Sequence, residues 1–187
     1  LYQTAERIRH KYPTNYEYQL CGLIHDVGKL LYTFGEPDWA IVGDTFVVGA
    51  EYGKALVYGN LLKNNTDIND TIFRTKFGIY SPNCGVKKLT LSFGHDEYLY
   101  SVLKNNKNHR LSEKYLDIIR FHSFYPWHTG GDYSYFMSKE DETLKQNILD
   151  FNQFDLYSKT DEKNISQETK DYYKRLLEEY FPEELDW

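Results

Sequence analysis

Apolar residues recur along most of this chain at the spacing of a helix face rather than in the alternation of a strand. Residues 3–12 are rich in helix formers and stop before Pro13, which pushes its predecessor out of the helical region. From Tyr16 to Leu31 apolar side chains fall at 16, 20, 23, 24, 27, 30 and 31, one broad face of a continuous helix. Gly35-Glu36-Pro37 breaks the chain, and 38–48 (DWAIVGDTFVV) reads as an apolar loop centred on Gly43. The stretch 49–63 again reads as helix, 64–70 as an Asn-rich surface loop, and 71–90 as short pieces between turn signals at Gly78, Pro82 and Gly85. Further helices are predicted over 92–105 and 112–124, with Pro126 ending the second. Another starts at Ser138-Lys139-Glu140-Asp141, a Ser cap with an acidic first turn, and runs to about Tyr157. The last begins near Ser166 and ends before Pro182. No repeat, low-complexity tract or linker interrupts the 187 residues, a length that suits one domain. The predicted fold class is all-α.

Composition then removes whole classes of function. Lys+Arg 22 against Asp+Glu 28 leave a net charge of −6, so there is no excess of cations to hold a phosphate backbone, and nucleic acid is not an expected partner. Hydrophobic residues at 41% and aromatic residues at 17% supply a sizeable core and exclude a disordered chain. No apolar run approaches the ~18–20 residues that span a bilayer, and no signal-like segment is present, so no membrane association is expected. Cys21 and Cys84 make no disulfide framework, which points to a reducing, cytoplasmic setting. A monomer is expected. The chain opens at Leu1 rather than Met, and Leu1-Tyr2-Gln3-Thr4-Ala5-Glu6 already reads as helix, so an upstream portion is expected too.

The candidate chemistry lies with histidines and lone acids in apolar surroundings. His25, His95 and His122 sit in Leu23-Ile24-His25-Asp26-Val27-Gly28-Lys29, Ser92-Phe93-Gly94-His95-Asp96-Glu97 and Ile118-Ile119-Arg120-Phe121-His122-Ser123. Phe151-Asn152-Gln153-Phe154-Asp155-Leu156-Tyr157 places a single acid among aromatics. A buried imidazole or carboxylate needs a partner, because desolvating it alone costs several kcal/mol. One shared metal site satisfies all of them. Neighbours on a helix point ~100° apart, so His25 and Asp26 do not serve one ion as an i, i+4 pair does. They do suit two ions, the imidazole on one and the short carboxylate bridging to the next. The competing interpretation is structural, with His25 satisfied in the core and Asp26 paired with Lys29. Imidazole and carboxylate donors without thiolate favour iron or manganese over structural zinc. His10 and His109 read as solvated, and His128 as a loop anchor or outer support. Asp96 and Glu97 are placed to orient His95 or to face water.

The segments LYQTAERIR, LCGLIHDVGKLL, GEPDWAIVGDTFVVG, SFGHDEY, IRFHSFYPWHTGGDY and FNQFDLYSK resemble, in this order, the myo-inositol oxygenase family of the HD-domain superfamily. The resemblance implies an HD-domain-like helical bundle with a buried dinuclear site of two iron ions, mixed-valent Fe(II)/Fe(III) when active. It implies that His25 and Asp155 bind the first iron, His95 and His122 the second, and that Asp26 bridges them. A further family histidine would stand immediately before Leu1. Lys29, four residues after His25 and so on its helix face, is implied as the catalytic and substrate-binding cation. Gly43, Asp44, His122 and Ser123 are implied as further contacts to the substrate, myo-inositol, with O2 as co-substrate. Two alternatives stay open: a non-enzymatic polyol- or metal-binding relative, and a metal-dependent phosphohydrolase of the same superfamily.

Overall fold

The computed structural model describes residues 1–156 and 165–187. Among these the regular structure is helical, and the one β-type pairing is an isolated antiparallel bridge between Val47 and Leu91. The fold class is all-α, as the apolar spacing predicts. Helix α1 (Tyr2–Lys11) buries Thr4, Ala5 and Ile8, and its last turn carries Arg9, His10 and Lys11 where cations favour the helix dipole. Helix α2 (Tyr16–Ile24) is capped by Asn15, whose side chain accepts from the Tyr18 N–H at 3.1 Å. The two helices meet at Gly22, where a Cβ would stand 2.7 Å from Ile8 Cδ1 and 3.2 Å from Ala5 Cα.

The predicted 16–31 helix does not continue. It ends at Ile24, and after His25 and Asp26 the chain turns into a 3-10 segment, Val27–Phe34. The cause is tertiary. Gly28 lies against the N-terminus of α4 (His95–Asn105), where a Cβ would come within 1.9 Å of the His95 carbonyl oxygen. The apolar period carries on through this corner, so periodicity alone does not reveal it.

The region between α2 and α4 departs most from expectation. The predicted 38–48 loop contains a short helix, α3 (Asp38–Val42). The predicted 49–63 helix is absent apart from a 3-10 piece at Gly59–Asn64. Its backbone donors go elsewhere: Glu51 N–H to the Thr75 carbonyl (3.0 Å), Gly53 N–H to the Tyr133 hydroxyl (2.7 Å), Ala55 N–H to Asp132 Oδ2 (2.7 Å) and Tyr58 N–H to Asp44 Oδ2 (2.6 Å). Partners distant in sequence satisfy these groups in place of intrahelical carbonyls.

Helix α5 (Glu113–Phe121) is followed by α6 (Tyr125–His128), so Pro126 starts a helix rather than closing the previous one. Helix α7 (Asp141–Asp155) starts three residues after the expected Ser138 cap. There Asp141 is the acceptor, taking hydrogen bonds from Ser138 N–H (2.7 Å), Ser138 Oγ (3.0 Å) and Val86 N–H (3.1 Å). The expected end at Tyr157 lies outside the described residues. Helix α8 (Gln167–Tyr180) is capped by Ser166 and stops before Pro182, as predicted.

Two apolar clusters result. One joins α1, α2, α4, α5, α7 and α8, and the other gathers Val47, Val86, Leu89 and Leu91 around Phe121, Phe124, Trp127 and Phe136. Helices α5 and α7 contribute to both. The end of α5 and the end of α7 are also where His122 and Asp155 stand.

Candidate metal centre

Four helix ends and one turn deliver the five predicted residues to one place. His25 caps the C-terminus of α2, Asp26 follows it in the turn, His95 opens α4, His122 caps α5, and Asp155 is the last residue of α7. Helix ends are where a side chain leaves the bundle's regular packing, so four segments can aim at one point without their axes colliding. All three histidines are buried, at 1%, 6% and 2% exposure for His25, His95 and His122.

Each imidazole is oriented by a backbone carbonyl. His25 Nδ1 lies 3.0 Å from the Gly22 oxygen, His95 Nδ1 2.8 Å from Ile41, and His122 Nδ1 2.8 Å from Ile119. A carbonyl only accepts, so each Nδ1 carries the proton and each neutral ring turns the lone pair of Nε2 inward. Those Nε2 atoms and the two acids form one cluster. His95 Nε2 is 3.2 Å from Asp26 Oδ1, His122 Nε2 is 3.8 Å from the same oxygen, and His25 Nε2 is 3.1 Å from Asp155 Oδ1 and 3.7 Å from Asp26 Oδ2. His95 Nε2 and His122 Nε2 stand 3.3 Å apart. Two lone pairs at that distance repel unless a cation lies between or beside them. Among the described residues, ligand atoms of His25, Asp26 and His122 lie within 4.8 Å of one another, the spacing of a metal-binding group.

Charge follows the same logic. Burial disfavours an ionised Asp26, but the His122 and His95 imidazoles beside it, then His25 and the Lys29 ammonium, hold its carboxyl well below the usual range. Asp155 is likewise lowered, burial being outweighed by His25. Burial drives the His25 imidazole down despite Asp155. His122 moves up, because Asp26 and Asp96 overcome its burial. The donor set fits a metal ion: three inward-turned Nε2 atoms and two carboxylates held low.

Lys29 reaches the cluster, with Nζ 2.7 Å from Asp26 Oδ2, but from the 3-10 segment rather than from the helix face expected. Its side chain is 45% exposed, at the rim. Gly43 and Asp44 lie between Ile41, whose carbonyl orients His95, and Thr45, which touches Ser123. The Asp44 carboxylate itself takes the Tyr58 N–H, so its contact is to a loop. Ser123 donates to Asp96 Oδ2, and Thr45 Oγ1 lies 3.3 Å from the same oxygen. Asp96 thus bonds hydroxyls beside His122 rather than facing water.

Glu97 pairs with Arg120 (Nε to Oε2, 2.7 Å), and Arg120 also donates to the Lys87 and Leu89 carbonyls, tying α4 to α5. His128 is the support expected of it: Nε2 lies 3.1 Å from the His122 carbonyl, and burial pushes its imidazole down to about 4. His109 corrects its solvated reading, with Nε2 2.9 Å from the Leu103 carbonyl and Nδ1 accepting the Leu111 N–H. His10 is exposed as expected. Thr45, Gly28 and the three carbonyls carry no motif, and only the glycine two residues past Asp26 offered a signal.

Fold and site define an all-α domain built around a buried imidazole–carboxylate cluster suited to binding cations. Comparison with known families gives the particular case. The model of the family described as myo-inositol oxygenase matches residues 1–187, and the chain belongs to that family. It is 45% identical over 187 residues to an inositol oxygenase of Danio rerio, and 43% identical to those of Mus musculus and Homo sapiens. Each alignment covers 100% of this chain and 67%, 65% and 65% of the respective relative, so the chain spans about two thirds of their length. No helix among the described residues is long and apolar enough to cross a membrane.

Proposed function

We propose that this chain, as one domain, carries the site of a di-iron oxygenase that opens the myo-inositol ring between C1 and C6 and yields D-glucuronate. The step balances as inositol plus O2 giving glucuronic acid plus water. One oxygen atom enters the product and the other leaves as water, and O2 accepts the four electrons. The observation that carries this reading is the convergence of three Nε2 atoms, each with Nδ1 tied to a carbonyl, on the two carboxylates.

His25 and Asp155 would hold one iron, His95 and His122 the other, and Asp26, with an oxygen toward each group, would lie between them. Bound iron in the Fe(II)/Fe(III) state would supply a Lewis acid for vicinal hydroxyls and electrons for O2. The remaining work belongs to side chains. Lys29 places an ammonium at the rim beside Asp26, able to stabilise a substrate oxygen as it loses its proton. Ser123 offers a hydroxyl beside His122, and Gly43 and Asp44 border the approach to a small polyol. The His25 and His122 rings, packed edge-on to Phe151, keep the inner side of the cluster dry.

The phosphohydrolase alternative has less support. It needs cations for a phosphate, and Arg120, two residues from His122, is committed to Glu97 and two carbonyls. The test is inositol-dependent O2 uptake by the iron-loaded protein, with glucuronate as product. Uptake matched by glucuronate supports the reading, whereas phosphate-ester hydrolysis without O2 uptake contradicts it.

A further inference from the structure

We propose that Asp96, which takes the protons of both Ser123 and Thr45, sets the hydrogen-bond polarity of a hydroxyl subsite beside His122, so that Ser123 accepts a hydrogen bond from a bound polyol and donates none. This rests on the functional reading above. Asp96 is 1% exposed in the first turn of α4, next to His95. Its Oδ1 accepts the Glu97 N–H at 2.9 Å. Its Oδ2 accepts from Ser123 Oγ and from Thr45 Oγ1. An ionised carboxylate only accepts, and each hydroxyl has a single proton. Both protons therefore point at Asp96. Should Thr45 turn instead to Ser123 Oγ, 3.4 Å away, the trio still has no proton left to offer.

Thr45 is buried and Ser123 half-buried, so the free lone pairs of Ser123 are what a ligand meets. A ring hydroxyl that donates is accepted there. A carbonyl oxygen at the same ring position faces a lone pair with nothing between, and is rejected. Asp96 thereby acts as a positioning residue, through Ser123 rather than by touching the substrate.

Asp96→Asn inverts this polarity in a defined way. The Glu97 N–H requires an acceptor at the Oδ1 position, so the amide oxygen goes there and the amide NH2 takes the Oδ2 position. It then donates to Ser123 Oγ and frees the Ser123 proton to point toward the ligand. The experiment is calorimetric binding, without O2, of myo-inositol and its single-position ketone analogues to the iron-loaded protein. The wild-type protein should reject one analogue by about 10-fold or more relative to inositol, and Asp96→Asn should narrow that one ratio by a similar factor. Ser123→Ala, which leaves Asp96 in place, should lose the same discrimination and serves if Asp96→Asn does not fold. Ratios unchanged in both variants, or affinities lowered equally for every ligand, overturn the proposal. A wild-type protein that binds no polyol overturns the functional reading itself.

Discussion

His95 Nε2 and His122 Nε2 face each other at 3.3 Å while the Nδ1 of each is committed to a carbonyl, Ile41 for one and Ile119 for the other. Neither ring can rotate to relieve the encounter without losing its carbonyl bond. The fold thus builds a place that is unfavourable when empty of positive charge and favourable when filled. Asp26 completes it, with one oxygen toward His95 and the other 3.7 Å from His25.

Asp26→Ala removes the group shared by both sides of the cluster. Iron content should fall from about two per chain to one or fewer, and any remaining iron should lose its magnetic coupling. Metal analysis with electron-resonance spectroscopy checks this. Two coupled irons in the variant would refute the bridging role.

Lys29→Ala should separate binding from turnover. The lysine touches Asp26 from the rim and belongs to no apolar cluster, so metal content and melting temperature should hold. Turnover should fall about 100-fold or more, as expected for loss of a positioned cation beside a developing alkoxide. Steady-state kinetics beside metal analysis decides the matter, and normal kcat would remove Lys29 from the mechanism.

Gly28→Ala tests how the corner after α2 holds the site. The added Cβ would come within 1.9 Å of the His95 carbonyl oxygen, so α4 must retreat. Stability should drop by about 3 kcal/mol or more, and metal affinity should fall with it because His95 moves away from His122. Chemical denaturation and iron titration measure the two effects.

His128 should contribute a pH dependence of known sign. Its folded-state imidazole is pushed down to about 4, chiefly by burial, below the ordinary value of 6.5. The unfolded chain therefore takes up a proton first as pH falls. Stability from this residue is present above pH 6.5, declines as pH drops through the window toward 4, and totals on the order of 3 kcal/mol. Denaturation of the wild type and of His128→Gln, which can still donate to the His122 carbonyl, should diverge over that window. Parallel curves would contradict the assignment.

Legibility in the sequence divides along a physical line. Elements with local punctuation are readable: α8 has its Ser166 cap and following Pro182, and α1 has Pro13 beyond it. The corner at His25-Asp26 is hidden because Val27, Leu30 and Leu31 continue the helical period past the true end of α2. The 49–63 stretch is misread because its donors are satisfied by Thr75, Asp132 and Tyr133, which no local pattern reveals. The same holds at the site. Lone histidines and acids in apolar segments identify His25, Asp26, His95, His122 and Asp155, and the structure brings them together. The carbonyls that set their tautomers and the Asp96–Ser123–Thr45 trio arise from contacts between segments and leave no trace in any one of them.

The most direct test of the paired-metal site is anaerobic titration of the chain with ferrous iron, followed by partial oxidation and low-temperature electron-resonance spectroscopy. Saturation at about two irons per chain, with a coupled mixed-valent signal that changes on adding myo-inositol, is the predicted result. Saturation at one iron, or two irons with independent signals indifferent to inositol, would contradict it.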